Sequence, residues 1–198
     1  MGTGAVGSGP GVIAIPARAQ RRAMNEARQT LTRVISREQI RERVRELARD
    51  ISVSFPDQEP LFIGILNGAV FFLGDLVREL TIPCRIDFIK AASYGAGTAS
   101  SGKVRLTKDV ELEVAGEHVV LVEDIVDTGL TLKHILERIE QRRPASVRVC
   151  ALIDKRERRT EEVRVDFSGF RVEQGFLVGY GLDCNERYRN LPDIYALG

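Results

Sequence analysis

The stretch VVLVEDIVDTGLTL, Val119 to Leu132, predicts the fold and locates the functional site. Val119 to Val122 is a short apolar run rich in β-branched residues, typical of a buried strand in a parallel sheet. The apolar residues after the run recur at helical spacing, so we expect a helix to begin near Thr131. Two carboxylates, Glu123 and Asp124, and a turn of small residues lie between strand and helix. In an open α/β sheet, this order puts the acids and the turn in the crevice beyond the strand, where ligands bind.

The turn has the chemistry of a ribose phosphate site. Thr128, Gly129 and Thr131 offer hydroxyls, backbone N–H groups and the positive end of a helix dipole, which suit a phosphate dianion. The acidic pair can accept hydrogen bonds from a ribose diol, directly or through Mg²⁺. Asp127 would repel a phosphate, so we expect its side chain to point toward a proton on a substrate. An acidic loop with an Asp cap is the plainer alternative, but the complete ordered pattern favours the ligand site.

The stretch EDIVDTGLT, Glu123 to Thr131, resembles the phosphoribosyl diphosphate binding motif of the type I phosphoribosyltransferases. Its acid at the fifth position, Asp127, resembles the 6-oxopurine branch, the hypoxanthine-guanine phosphoribosyltransferases. The resemblance runs from about Val34 to the C-terminus. It implies an α/β fold with a mainly parallel twisted sheet, flanking helices and a small hood. It also implies a purine salvage enzyme that uses Mg²⁺ to transfer the 5-phosphoribosyl group to hypoxanthine and/or guanine.

The resemblance also implies site residues along the chain. The catalytic residue is Asp127, acting at N7 of the purine. The residues implied to bind phosphoribosyl diphosphate are Glu123, Asp124, Asp127, Thr128, Gly129, Leu130, Thr131, Asn67, Gly68, Ser93, Tyr94 and Arg189. The residues implied at the purine are Lys155, Phe176, Leu177 and Asp183. The residues implied to ligate Mg²⁺ are Glu123, Asp124 and Asp183.

Three of these side chains in the C-terminal region suit the implied roles. Phe176 offers a ring that can stack on a planar base. Asp183 is a hard oxygen ligand for Mg²⁺, and the guanidinium of Arg189 suits phosphate oxygens. Taken singly, core packing, capping and a solvated charge are the respective alternatives, and only the joint pattern favours the ligand roles.

The charge run KRERR, Lys155 to Arg159, follows the predicted strand 147–153. The ammonium of Lys155 suits a single carbonyl acceptor, and the resemblance implies that it donates to purine O6. Arg158 and Arg159 are predicted to lie in a solvated loop.

A second strand–turn–helix pattern precedes the motif. Asn67 and Gly68 follow the apolar run LFIGIL, Leu61 to Leu66, and precede a predicted helix. The resemblance implies that this turn holds the diphosphate and that the peptide bond before Asn67 can be cis. Many relatives carry Lys or Arg at this position, so here the contact is expected to depend on backbone amides.

The segment ASYGAGTASSGKV, Ala92 to Val104, is rich in Gly, Ser and Thr. Such a segment is a linker or an active-site lid, and it resembles the family's flexible catalytic loop. Residues 104–106 and 110–114 are predicted to form the two arms of the hairpin that carries it.

Composition excludes several classes of protein. The 198 residues carry 29 Lys and Arg against 28 Asp and Glu, a net charge of +1, which argues against a dedicated nucleic-acid binder. Cys84, Cys150 and Cys184 are widely spaced, which predicts reduced thiols in a cytoplasmic protein. The longest apolar stretch, Leu61 to Leu73, is too short to span a bilayer, so no membrane partner is expected.

The expected organisation is a flexible N-terminal extension, residues 1–33, and a phosphoribosyltransferase domain, residues 34–198. The hood is expected from the N-terminal helix region and the C-terminal segment. The resemblance implies a homodimer or a homotetramer.

A regulator on the same scaffold, binding RNA or DNA, is the alternative from another functional class. It would need a basic face or an added domain, and Asp127, Lys155 and Phe176 favour the enzyme. The orotate, uracil and adenine branches are disfavoured by Lys155 and by the segment VDFSGF, residues 165–170. Hypoxanthine, guanine and xanthine all remain open as substrates.

Overall fold

Two β-sheets organise the part of the chain that the structure describes, one of six strands and one of three. The computed structural model describes residues 30–93 and 104–198, apart from the side chains of Ala92, Ser93 and Val104. In chain order the elements are β1 (Leu31–Ile35), α1 (Arg37–Ser54), β2 (Leu61–Leu66), α2 (Val70–Glu79), β3 (Arg85–Ser93), β4 (Val104–Lys108), β5 (His118–Val126), α3 (Leu130–Glu140), β6 (Ser146–Lys155), β7 (Phe167–Val172), β8 (Phe176–Val178) and β9 (Ile194–Leu197).

The six-stranded sheet has the order β4-β3-β2-β5-β6-β7. All neighbouring strands are parallel except β3 and β4, which are antiparallel, so the predicted mainly parallel sheet is confirmed. Because β2 and β5 are parallel neighbours, the turns that follow them lie at the same edge of the sheet.

Helices cover both faces of this sheet, and strand β5 contributes to both cores. Val120 and Val122 belong to the cluster that includes residues of α1 and α2. Val119 and Leu121 belong to the opposite cluster, which includes residues of α3. Side chains alternate between the faces of a strand, so burial on both faces requires the continuous apolar run seen in the sequence. Within residues 30–93 and 104–198, no helix is long and apolar enough to cross a membrane.

The three-stranded sheet has the order β1-β9-β8, with both neighbouring pairs antiparallel. It therefore joins the start of the described chain to its C-terminal segment. Strand β1 begins at Leu31, slightly before the expected domain start at residue 34. The N–H of Arg37 donates to the carboxylate of Asp193 (2.7 Å), which connects the first residue of α1 with the C-terminal segment.

The predicted hairpin was right for one arm and wrong for the other. Residues 104–106 lie in β4, and the arm opposite is β3, paired from Lys90 with Lys108 to Ser93 with Val104. Residues 110–114 form no strand, although Val110 and Val114 are buried in the core. The alternating apolar residues there resemble a strand, but two of the backbone N–H groups donate to a side chain. Tyr94 and the predicted lid up to residue 103 lie outside the described residues.

That side chain is Asp87 of β3, which is buried. Its carboxylate accepts hydrogen bonds from the N–H groups of Phe88 (2.6 Å), Glu111 (2.7 Å) and Leu112 (2.9 Å). The ammonium of Lys108 lies 3.4 Å away. Burial by itself raises the pKa of this carboxyl, but the backbone hydrogen bonds and the ammonium outweigh burial and hold the pKa below its usual range.

We expect Asp87→Asn to lower the free energy of unfolding at pH 7 by about 1–3 kcal/mol, because an amide cannot satisfy all of these buried donors. Since the folded pKa is depressed, the stabilisation by the carboxylate is present above the unfolded pKa of about 3.9 and is lost as pH falls through the folded pKa. Urea unfolding should therefore show the full difference at pH 7 and a shrinking difference below about pH 4.

Glu111→Gln is the matched control, because Glu111 is an exposed partner of the same Lys108. It should cost less than about 1 kcal/mol. A deficit in Asp87→Asn that stays constant from neutral to acidic pH would show that the charge of Asp87 is not responsible.

Candidate active site

The turn after β5 is shaped by Gly129. This residue has a φ of +84°, and a Cβ at this position would lie 2.5 Å from the carbonyl oxygen of Glu161. Both the left-handed backbone and the close approach require glycine. Helix α3 begins directly afterwards at Leu130, one residue before the predicted start. The N–H groups of its first turn are therefore directed to the crevice end of β5.

A cavity of about 290 Å³ lies at the carboxyl ends of β2 and β5. Ten of the predicted site residues line it, which means that the two predicted turns share one site. They are Asn67, Gly68, Glu123, Asp124, Asp127, Thr128, Gly129, Thr131, Asp183 and Arg189.

The acidic pair lies under the turn that follows β2. Glu123 and Asp124 are both buried, and burial raises the pKa of each carboxyl. The pKa of Glu123 lies well above its usual range, because the charge of Asp124 adds to the effect of burial. A Cβ at Gly68 would lie 1.7 Å from a carboxylate oxygen of Asp124, so only glycine allows this approach. The peptide bond between Leu66 and Asn67 is cis, as the resemblance implies.

Asp127 lies between two cations. Its Oδ1 is 3.8 Å from the Nζ of Lys155, and its Oδ2 is 3.6 Å from the guanidinium of Arg158. Oδ1 is buried and accepts no hydrogen bond from the described residues. Lys155 is itself buried, and it also lies 3.2 Å from Glu157. The site therefore presents a free acceptor beside a buried ammonium donor.

Arg189 also lines the cavity, and two acids of the C-terminal segment hold it. Its guanidinium lies 2.8 Å from Asp183 and 3.1 Å from Glu186, and it donates to the carbonyl of Gly181 (2.7 Å). Asp183 and Arg189, predicted separately as a metal ligand and a diphosphate ligand, thus form an ion pair with each other.

Of the predicted residues whose side chains are described, four do not line this cavity: Leu130, Lys155, Phe176 and Leu177. Phe176 is 49% exposed on β8, and Leu177 is buried in the three-stranded sheet, paired with Ala196. Leu130 begins α3, and Lys155 reaches the site through its contact with Asp127. Ser93 ends β3, and its side chain is outside the description.

The prediction that Arg159 is solvated was wrong. Its side chain is 8% exposed and donates to the backbone carbonyls of Val126 and Asp127. A run of charges is ordinarily a solvated surface, and nothing in the run KRERR distinguishes Arg159 from Arg158, whose side chain is 64% exposed.

The acids fit one mode of Mg²⁺ binding. Within the described ranges, no three His, Cys, Asp or Glu side chains come together as a closed metal site. Mg²⁺ is usually held by one or two carboxylates, with waters and substrate phosphates completing its shell. Glu123, Asp124 and Asp183, all at the cavity, could supply such carboxylates.

Comparison with known proteins agrees with this geometry. The family model described as phosphoribosyl transferase domain matches residues 35–185. The hypoxanthine-guanine phosphoribosyltransferase of Bacillus subtilis is 42% identical over 148 residues, which are 75% of this chain and 82% of that protein. The hypoxanthine-guanine-xanthine phosphoribosyltransferase of Tritrichomonas foetus is 42% identical over 149 residues, 75% of this chain and 81% of that protein.

A solved structure agrees as well. The crystal structure of a hypoxanthine-guanine phosphoribosyltransferase from Bacillus anthracis superimposes with a TM-score of 0.80 at 42% identity, covering 84% of this chain and 98% of that one. The strand order, the turn from Asp127 to Thr131 and the contact between Asp127 and Lys155 agree with these likenesses. The likenesses establish that the chain belongs to the phosphoribosyltransferase family, in its hypoxanthine-guanine branch.

Proposed function

We propose that the chain transfers the 5-phosphoribosyl group from phosphoribosyl diphosphate to hypoxanthine and/or guanine. The products are IMP or GMP and diphosphate, and the reaction is reversible and serves purine salvage. One observation carries this proposal: Oδ1 of Asp127, which accepts no hydrogen bond from the described residues, lies 3.8 Å from the ammonium of Lys155. A 6-oxopurine presents a proton at N7 and a carbonyl at O6 along one edge, which complements an acceptor beside a donor.

The remaining groups suit the ribose phosphate. The turn from Asp127 to Thr131 supplies N–H groups and hydroxyls for the 5′-phosphate. Glu123 and Asp124 accept hydrogen bonds from the ribose hydroxyls. Mg²⁺, when held by these acids and Asp183, supplies neutralisation of the departing diphosphate.

Bond changes occur at C1 of the ribose. The bond from C1 to the diphosphate oxygen breaks with oxocarbenium character, as in glycoside cleavage, and purine N9 forms the new bond. The purine loses its N7 proton as N9 becomes substituted, and Asp127 stabilises or accepts that proton. Lys155 stabilises the negative charge that develops on O6.

A nucleotide-forming assay tests this proposal. With Mg²⁺ and phosphoribosyl diphosphate, hypoxanthine or guanine should give the nucleoside monophosphate. Adenine should not, because its exocyclic amino group cannot accept from Lys155. Xanthine keeps the 6-oxo group, so it should compete for the same site. Turnover of adenine, or of no purine, would contradict the proposal.

We also propose that residues 34–198 act as the catalytic unit, in the cytoplasm, as a homodimer or a homotetramer. The match of the family model to residues 35–185 supports the unit. The three free cysteines suit a reducing compartment. Val70 and Phe71 are 41% and 45% exposed on α2, and such neighbouring apolar side chains suit a subunit contact. Sedimentation of the purified chain tests the assembly, and a monomer would contradict it.

We expect Asp127→Asn to lower kcat by about 10²–10⁴-fold, the usual contribution of a general acid–base group, while the KM for phosphoribosyl diphosphate changes little. Steady-state kinetics with hypoxanthine measures both. Glu157→Gln is the control, because Glu157 is another carboxylate beside Lys155 but is absent from the cavity wall. An unchanged kcat in Asp127→Asn would exclude the proposed role at N7.

Lys155→Met should raise the KM for the purine by about tenfold to a hundredfold, the size expected for losing a hydrogen bond to a charged group. The KM for phosphoribosyl diphosphate should stay within about twofold, a change well under 1 kcal/mol. Arg156→Met, at an adjacent and exposed cation, is the matched control. Equal increases in both KM values for Lys155→Met would indicate a general electrostatic or folding effect instead.

A further inference from the structure

We propose that Arg159 is a positioning residue for the turn from Asp127 to Thr131, called the phosphate turn below. Arg159 orients the backbone N–H groups of this turn toward the ligand. This assignment rests on the proposed function, because it concerns how the same turn holds the 5′-phosphate. Arg159 touches no reacting atom in that scheme and acts through the turn alone.

The guanidinium of Arg159 connects four acceptors. Its Nε donates to the carbonyl of Asp127 (2.9 Å), and its Nη2 donates to the carbonyl of Val126 (2.8 Å). Nη2 also donates to the carboxylate of Asp154 (2.6 Å) and to the carbonyl of Lys155 (3.0 Å). The Arg159 and Asp154 side chains are 8% and 3% exposed, so this is a buried ion pair that also binds the end of β5.

Bonds to the carbonyls fix the directions of the following N–H groups. The peptide bond from Asp127 to Thr128 is trans, so its C=O and its N–H point in opposite directions. Because the Asp127 carbonyl points at Arg159, the N–H of Thr128 points away from Arg159. The Thr128 carbonyl accepts from the N–H groups of Thr160 (3.0 Å) and Glu161 (3.0 Å), so the N–H of Gly129 is also turned away from this segment.

The two oriented N–H groups are available to a ligand. Across the described ranges, neither the N–H of Thr128 nor that of Gly129 donates to a protein acceptor. Both residues line the cavity. Residues 159–161 therefore lie behind the turn, and the N–H groups face the space in which a phosphate would be bound.

The substitution Arg159→Lys keeps the positive charge of the side chain but removes the fork of donors that a guanidinium provides. A guanidinium presents a planar fork of donors, whereas an ammonium is a point charge on a flexible stem. Arg159→Lys can keep the ion pair with Asp154, but it cannot bond both turn carbonyls in the same way. We therefore expect Arg159→Lys to lower the affinity only for ligands that carry the 5′-phosphate.

The test compares Arg159→Lys with Arg156→Lys. Arg156 pairs with the same carboxylate of Asp154 (3.4 Å) but is exposed, and the hydrogen bonds of its side chain found among the described residues go to Asp154 and not to the turn. Calorimetry with IMP should give a Kd about tenfold to a hundredfold higher for Arg159→Lys, and a nearly unchanged Kd for Arg156→Lys. In steady-state assays, the KM for phosphoribosyl diphosphate should rise by a similar factor, while the KM for hypoxanthine at saturating cosubstrate stays nearly constant.

Asp154→Asn provides a second variant if lysine at position 159 prevents folding. It leaves the guanidinium in place but weakens its anchor, so the Kd for IMP should rise severalfold. An IMP Kd unchanged in whichever variant folds, or raised equally in Arg156→Lys, would overturn the positioning role. If the unaltered chain itself binds no IMP, the proposed function fails, and that result is distinct from a failure of Arg159 alone.

Discussion

The parallel pairing of β2, β5 and β6 is the constraint on which the site depends. It brings the ends of three strands to one edge of the sheet, so the turn at Gly68, the phosphate turn and Lys155 become neighbours. Val126 is paired with Asp154 at the end of the ladder, so the residues that follow, Asp127 and Lys155, meet beyond it. Since a slip of one residue would move every side chain to the other face, this register decides the contact between the acid and the ammonium.

The charges at this edge are divided between two regions. Glu123 and Asp124 are buried with no cation within ion-pair distance in the described part of the chain, and burial keeps the pKa of both raised. Asp127 instead faces two cations at 3.6 and 3.8 Å. The first region suits neutral ribose hydroxyls or a divalent cation. The second region suits a purine that gives up a proton to the acid and accepts a hydrogen bond from a cation. A ligand with a phosphorylated ribose at one end and a 6-oxopurine at the other matches both regions.

Local sequence patterns predicted the parts of the site that lie within one strand–turn–helix unit. The apolar run, the acidic pair and Gly129 are consecutive, so their arrangement follows from the backbone of that unit. Arg159 was missed because its contacts with Val126 and Asp127 join segments more than 30 residues apart. Residues 110–114 were predicted as a strand because their alternating apolar pattern does not reveal that Asp87, from another element, binds their backbone. In both cases the deciding partner is distant in sequence, and no local pattern encodes it.

We propose that one edge of the sheet binds both the phosphate and the purine of the same nucleotide. A crystal structure of the chain with IMP tests this arrangement. The 5′-phosphate should accept hydrogen bonds from the N–H groups of Thr128 and Gly129, with purine N7 facing Asp127 and O6 facing Lys155. A phosphate bound away from the turn, or a purine whose six-membered ring edge faces away from Lys155, would contradict it.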